Sequence, residues 1–417
     1  MDGRTLEAAP ALGQTILRWS SRTHTLAGIE AELARIWSEA PLTVQGADGT
    51  PERRVAARTS VLNLAVVARQ PELAERAAAV IRMLTGRHPS RTLIVSSADP
   101  DGPSWVDAHV QAHCVMPRAD AVETCAEFID LVAGGETGRH VAAIVAPLLV
   151  HDLPVTLWWP GDPPLGSRQV LDVLDMADRL VVDGASWSGD GIGRLRALVA
   201  IVGDQELAGG TLAVSDFAML RQSRWREAIA SCFDRPELQP FLNGLTEVTV
   251  RYGAHPGSGP GGTNLIKPLY HVAWLASRLG LTVAAPLQSA GPETGVQTGV
   301  QTPDEGIGTP IVGQLRAGRR RIAVAVVPTK SSTPAGTTLT VELAARRRGE
   351  TLEVIVSAEE EAVMVRTRLD GREFPVRRFM APRRTEVELL AETIESVGRD
   401  RVAVAALRAA AELAGPA

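Results

Sequence analysis

The stretch TSVLNLAVVARQPELAERAAAVIRMLTGRHPSRTLIVSSADP, Thr59 to Pro100, sets the architecture of the first half of the chain. SVLNLAVVA is a short apolar strand. Pro71 then opens a helix, at a position where its missing N–H costs nothing. Ala74, Ala77, Ala78, Ile81 and Leu84 fall on one side of that helix. Gly86 stops it, and RTLIVSS is the next strand. Strand, helix, strand in this order is a βαβ unit, which favours parallel pairing with a right-handed crossover.

Upstream, Ala8–Leu17 and Leu26–Trp37 have helical spacing. Thr23 or Thr25 is placed to cap the second, and Leu26, Ile29, Leu33 and Ile36 form its stripe. Pro41–Arg53 is polar, with Gly and Pro, and reads as a flexible connection. Downstream, WVDAHVQAHCVM alternates as a half-exposed strand, ADAVETCAEFIDLVAG reads as a helix, and RHVAAIVAPLLV is an apolar run. VTLWW is a strand, and RQVLDVLDMADRLVVDGA gives a helix-like run and a short strand at Leu180–Val182. GIGRLRALVAIVG continues as a helix, and the whole is a three-layer α/β pattern.

A helical link, RQSRWREAIASCFDRPELQPFLNG, leads to the strand LTEVTVRYG, a Gly-rich loop and the helix LIKPLYHVAWLASRLG. The texture then changes to successive short strands: GTPIVGQLRAG, RIAVAVVPT, TTLTVELAARRRG, ETLEVIVSAEE, AVMVRTRLDG and REFPVRRFM. That is an antiparallel meander with one solvated face. An amphipathic helix at about Thr385–Val397 and the segment RVAVAALRAAAELAG follow. The expected fold is an α/β N-terminal half with a mixed or parallel sheet, followed by an α+β half with an antiparallel meander. The expected boundaries are a helical extension and linker over 1–54, an α/β domain over 55–205, and an α+β domain over 206–417.

The 417 residues are 45% hydrophobic and 22% charged, the balance of a soluble globular protein. A net charge of -5 gives no footprint for nucleic acid, and no apolar run is long enough to span a membrane. The opening MDGRTLEAAP lacks a basic region followed by an apolar core, so no secretory signal is expected. Cys114, Cys125 and Cys232 show no CxxC spacing, so neither a disulfide nor a zinc site is expected. A reduced, cytoplasmic protein is the reading.

Candidate chemistry is sparse. GSGPGG matches G-x-G-x-x-G at Gly257, Gly259 and Gly262. However, Tyr252 to Pro256 push the glycines away from the strand end, and Pro260 deletes an N–H that could meet phosphate. A surface loop fits better, and no cofactor is expected. His109 and His113 share one strand face but lie about 13 Å apart along it, too far to chelate one ion. No G-x-S-x-G elbow, P-loop lysine or H-E-x-x-H motif occurs, so no catalytic residue and no metal ligand is assigned. Asp152 and Asp162 are possible acids, but neither has a third group to aim a base. Arginines at 319–321, 346–348, 377–378 and 383–384 read as solvated strand ends or as a positive stripe for an acidic partner.

Trp158 and Trp159 stand out among eight tryptophans. On a strand they point to opposite faces, and a buried indole N–H seeks a partner. Pro160, Gly161, Asp162, Pro163 and Pro164 make a stiff loop behind them. Stiffness lowers the entropy lost on binding and favours a recognition surface over chemistry.

PLLVHDLPVTLWWPGDPP resembles the centre of the glucose-6-phosphate dehydrogenase assembly protein family, often called OpcA. The likeness extends to VLNLAVVA, HPSRTLIV (His88–Val95), DFAMLRQSRWREAIASCFD (Asp216–Asp234) and KPLYHVAWLASRLG. The family tends to carry an aromatic near Met219 and LTPWR where this chain has RQSRWR. The resemblance implies an accessory protein without catalysis of its own. Such a protein would bind glucose-6-phosphate dehydrogenase, promote its active oligomer and support the oxidative pentose phosphate pathway. Trp158, Trp159, Pro160 and Asp162 are then the first partner-binding candidates, with Trp225 and Arg226 second. The alternative is a metabolite- or nucleotide-binding regulatory module, or an enzyme, using the α/β crevice.

Overall fold

A computed structural model describes residues 15–38, 42–45, 51–54, 56–99, 101–115, 123–163, 172–256, 262–291 and 307–415. The chain divides into two compact units, Met1–Val182 with Glu386–Val397, and Asp183–Thr385 with Gly398–Ala417.

The strands of the first unit are β1 (Thr15–Thr23), β2 (Leu42–Gln45), β3 (Pro51–Arg54), β4 (Ala56–Arg58) and β5 (Leu62–Ala68). They continue with β6 (Ser90–Ala98), β7 (Trp105–Val115), β8 (Glu123–Gly134), β9 (Val155–Trp159) and β10 (Arg179–Val182). Its main sheet runs β1-β7-β8-β6-β5-β9-β10, with β4 also on β8. From β8 to β10 every pairing is parallel, whereas β7 and β1 are antiparallel. The expected βαβ unit is β5, helix Pro71–Arg82 and β6. Every residue of β5 is buried, as a continuous apolar run requires of a strand inside a parallel sheet. Helix Glu386–Glu395 belongs to this unit and packs on helix Pro71–Arg82. Glu386 pairs with Arg76, and Glu395 lies 2.5 Å from Arg87 and 3.0 Å from His88.

Four expectations need correction here. Of Ala8–Leu17, residues 8–14 lie outside the described residues, and Thr15–Leu17 are strand, paired with β7 from Thr15↔Val115 onward. Within Pro41–Arg53, Leu42–Gln45 and Pro51–Arg54 form a ladder rather than a loose connection. ADAVETCAEFIDLVAG is not a helix: Glu123–Gly134 is strand β8, held between β6 and β7. Its Ala, Glu and Leu favour a helix locally, but ladders on both edges and burial of Phe128, Ile129 and Leu131 outweigh propensity. Finally, Cys114 and Cys125 stand directly opposite each other on β7 and β8 and form a disulfide, with Cα atoms 4.0 Å apart. Cross-strand register, which sequence spacing does not reveal, brings them together. Cys232 stays free and buried, and burial pushes its thiol up to about 11.

The second unit contains β11 (Ala213–Asp216), β12 (Leu245–Ala254), β13 (Thr282–Ser289), β14 (Ile311–Ala317) and β15 (Arg320–Lys330). Then come β16 (Thr338–Arg347), β17 (Glu350–Ala358), β18 (Ala362–Leu369), β19 (Arg372–Glu373) and β20 (Arg377–Met380). The large sheet runs β13-β14-β15-β12-β16-β17-β18-β19, with β20 also on β18. It is mostly antiparallel, as expected, but β12 enters its middle, parallel to β15 and antiparallel to β16. The one-face burial is plain on β17, where Leu352, Val354 and Val356 are buried while Glu353 and Ile355 are exposed. Helix Ile266–Arg278 packs on β12 and on helix Arg401–Leu413. Asp400 caps the latter, accepting from the N–H groups of Val402 and Ala403 at 2.9 and 3.0 Å. The fold is thus an α/β unit with a mixed sheet and an α+β unit with a mostly antiparallel one.

Candidate binding segments

In the first unit, β9 lies between β5 and β10, with Trp158 beside Val66 and Val181, and Trp159 beside Val182. Both indoles are enclosed, 0% and 1% exposed, so neither offers surface in this structure. They fill the two faces of the sheet, as adjacent strand residues must. Trp159 Nε1 is buried without a hydrogen-bond partner among the described residues. Pro160, Gly161 and Pro163 are also buried, and Asp162 is half-buried. A Cβ on Gly161 would come within 2.5 Å of Leu73 Cδ1, so the loop lies tight on helix Pro71–Arg82. Pro164 lies outside the described residues.

Exposed surface appears at the other end of β9, where His151, Asp152 and Pro154 form a turn. Asp152 holds the left-handed backbone conformation, φ 65°. Asn63 pins this turn: its Nδ2 donates to the carbonyls of Val150 and Leu153 at 2.9 and 3.2 Å, and its Oδ1 accepts from Val150 N–H at 2.8 Å. Asp178 Oδ2 accepts from Val155 N–H at 2.8 Å. A chain segment with its backbone groups satisfied this way is rigid without being buried. Sequence reasoning took Asp152 for a backbone-turning residue, and that is its place. It missed Asn63, whose only signal was a polar residue inside an apolar strand.

The same unit buries an ion pair. Glu127, fully buried, accepts from Arg91 Nε and from Trp37 Nε1, each at 2.5 Å. Arg91 also donates to the Leu148 carbonyl at 3.0 Å. Glu127 and Arg91 face each other across β8 and β6, and Trp37 reaches them from helix Leu26–Ser38. On β7, His109, Gln111 and His113 share one face. Gln111 bridges the two histidines at 3.2 and 3.0 Å. Burial depresses His113 to about 4, aided by the nearby Arg82 and His109. No group of side chains able to hold a metal occurs among the described residues.

In the second unit, Trp225 lies on helix Ser223–Cys232, 9% exposed, with its ring 5.1 Å from that of His271. Arg226 is half-buried, and Arg224 and Glu227 form an exposed pair at 2.6 Å. His271 is completely buried, and neither ring nitrogen has a hydrogen-bond partner among the described residues. Burial, with Arg226 and Lys267 nearby, depresses it to about 3, so it is neutral.

Two strand-end acids were not singled out from sequence. Asp216 closes β11 and is buried. Its Oδ1 accepts from the N–H groups of Gly184 and Ala218 at 3.0 and 2.7 Å, and its Oδ2 from the Tyr270 hydroxyl at 2.6 Å. Burial and the charge of Asp183 raise it to about 6, and the same surroundings hold Tyr270 well above its ordinary value. Asp183 follows β10 in sequence and pairs with Arg221 at 2.7 Å. The signal was an acid ending an apolar run, in RLVVD and LAVSD. Tyr270 is wholly enclosed, and the couple ties a strand end to a helix.

Of the glycine motif, Gly257 and Gly259 lie outside the described residues, and Gly262 is exposed. The arginines of 319–321 and 346–348 sit at hairpin ends, shown by Ala317↔Arg320 and Arg347↔Glu350. Among the described residues no helix is long and apolar enough to cross a membrane.

Two family profiles match the chain. One, described as glucose-6-phosphate dehydrogenase subunit N-terminal domain, matches residues 81–200, and the other, its C-terminal domain, matches residues 212–407. The chain is 24% identical over 192 residues to the OxPP cycle protein OpcA of Synechocystis sp., 46% of this chain and 37% of that protein. It is 23% identical over 207 residues to the OpcA of Synechococcus elongatus, 49% and 43% of the two chains. The match therefore spans less than half the length of either relative. Among solved structures, the transcriptional regulator Gal80p of Kluyveromyces lactis is similar over 85% of this chain and 87% of its own, at 11% identity and a TM-score of 0.44. That likeness carries no functional conclusion. With both profiles matched in order and together covering most of its length, the chain belongs to the OpcA glucose-6-phosphate dehydrogenase assembly family.

Proposed function

We propose that this chain is a non-catalytic accessory protein of the oxidative pentose phosphate pathway. It binds glucose-6-phosphate dehydrogenase and favours the enzyme's assembled, active state. The match of both family profiles carries the reading. The mechanism is a population shift: by binding the competent oligomer more tightly than other states, the protein raises its share.

Trp158, Trp159 and Pro160 act from inside, stiffening β9. In the first unit the contact falls to the pinned, exposed turn His151–Pro154 and to Asp162; in the second unit, Arg226 and Trp225 on helix Ser223–Cys232 are a separate candidate. A preordered turn loses little entropy on docking.

The test is dehydrogenase activity at fixed enzyme against rising concentration of this protein, with comigration on a sizing column. Saturable activation and a shared peak are expected; unchanged activity with separate peaks overturns the reading. Replacing His151 by Ala and Asp152 by Asn, which tolerates the left-handed backbone, should weaken activation by roughly tenfold or more while leaving the melting temperature nearly unchanged, since a well-packed contact is worth about 1–2 kcal/mol.

A further inference from the structure

We propose that the arginine-tipped end of the large sheet in the second unit docks an acidic surface of a partner protein. For that partner, glucose-6-phosphate dehydrogenase, the inference rests on the accessory reading, and it adds the contact that works through charge. Two hairpins build this end. The β14–β15 hairpin carries Arg316, Arg319, Arg320 and Arg321, and the β16–β17 hairpin carries Arg346, Arg347 and Arg348. Register sets both tips at the same end of the sheet: Glu247 of β12 stands between Ala323 of β15 and Ala344 of β16. Arg321 lies two residues before the first alanine and Arg346 two residues after the second, so both continue one outward face in one row. With strands about 4.8 Å apart, Arg316 and Arg321 are one spacing apart, and Arg321 and Arg346 are two.

The charge at this end is unbalanced. Six of the seven arginines are exposed, Arg320 being half-buried, and none of the seven makes an ion pair among the described residues. Arg316 and Arg321 stand directly opposite each other, a like-charge pair that costs stability. Arg320 Nε is buried without a hydrogen-bond partner among the described residues. The acids nearby are three. Glu247 already accepts from Thr249 Oγ1 at 3.1 Å, Glu350 stands opposite Arg347, and Asp370 lies in the turn whose N–H reaches the Thr351 carbonyl at 2.8 Å. Further along, Arg368 and Arg372 are matched by Glu353 and Glu373, with Arg368 2.9 Å from Glu373. Seven arginines against three acids leave an excess of four positive charges, on a chain whose net charge is -5.

A positive island on an acidic chain attracts a complementary surface, and its repulsion at Arg316 and Arg321 is relieved by one. Neither tip carries an aromatic side chain to stack on a base. The row from Arg316 to Arg346 spans three strand spacings, about 15 Å, which fits a short acidic stripe on a folded protein better than a long polyanion.

The test is equilibrium binding of the full chain to the dehydrogenase at about 50 and about 300 mM salt. Arg321→Glu and Arg346→Glu are compared with Arg69→Glu, an exposed position of the first unit that changes net charge equally. Either tip variant should weaken binding roughly tenfold or more at low salt, with a smaller loss at high salt, while Arg69→Glu stays within about twofold of the parent. Because Arg321→Glu faces Arg316, its melting temperature should equal or exceed the parent's, which separates a lost contact from a lost fold. A parent that binds while both tip variants match Arg69→Glu overturns this proposal and leaves the accessory reading standing. A parent that does not bind overturns both. Tighter binding of a DNA duplex of about 20 base pairs than of the dehydrogenase, lost in the tip variants, overturns the assignment to a protein partner.

Discussion

The carboxylate of Glu127 accepts from both Arg91 and Trp37 in a place closed to water. Removing one member of a buried pair leaves the other charge uncompensated, so Glu127→Leu should destabilise the protein by about 3–5 kcal/mol. Trp37→Phe removes only one neutral donor and should cost about 1–2 kcal/mol. Urea unfolding of the two variants checks the order; equal losses would deny the pair its role. His271 gives a pH dependence. Its folded pKa, about 3, lies below the ordinary 6.5, so the unfolded chain takes up the proton first. Stability linked to it is complete above about pH 6.5 and is lost as pH falls towards 3. Asp216 works the other way: raised to about 6, it gains its proton first in the folded state, so lowering the pH from 6 towards 3.8 favours folding. Comparing His271→Leu with the parent isolates the histidine. The variant should be no less stable at pH 7, because it deletes two unpartnered buried nitrogens, and should lose less stability between pH 6.5 and 4.5. Urea midpoints at the two pH values decide it.

At the scale of elements, what the sequence made legible was local consistency. β5, helix Pro71–Arg82 and β6 could be read because apolar pattern, Pro at the first turn and Gly86 at the end all agree. β8 could not, because its residues prefer a helix and only its two neighbouring strands overrule them. The Cys114–Cys125 link was hidden for the same reason, since it depends on the β7–β8 register that β8's composition disguised. Closing a loop over a sequence separation of 11 removes unfolded-state freedom worth about 3 kcal/mol. Replacing both cysteines by Ala should lower stability by up to that amount, read from denaturant midpoints under non-reducing conditions. A midpoint unaffected by the change would mean that strand pairing alone already restricts the segment. The tryptophans of β9 were legible as special residues, but not as core. Adjacency told that they face opposite ways, whereas the cover on each face comes from distant parts of the chain. The polar couple of Asp216 and Tyr270 was illegible because 54 residues separate its members.

For the whole molecule, the order of units along the chain differs from the order of segments. The first unit is assembled from an early stretch and a twelve-residue piece, Glu386–Val397, that follows nearly all of the second. That piece seals helix Pro71–Arg82 through Arg76, Arg87 and His88. A fragment ending at Val182 should therefore be aggregation-prone, and adding a peptide of residues 386–397 should restore solubility and protection of helix Pro71–Arg82 in hydrogen exchange. Full protection of the fragment alone would contradict this. The consequence reaches into biosynthesis. While the ribosome is still making the large sheet, the early stretch waits with an unfinished flank, and it can close only after residues 386–397 have emerged. A nascent chain of this kind leans on chaperones until that segment arrives, and a stop before residue 386 leaves the earlier stretch without its closing piece.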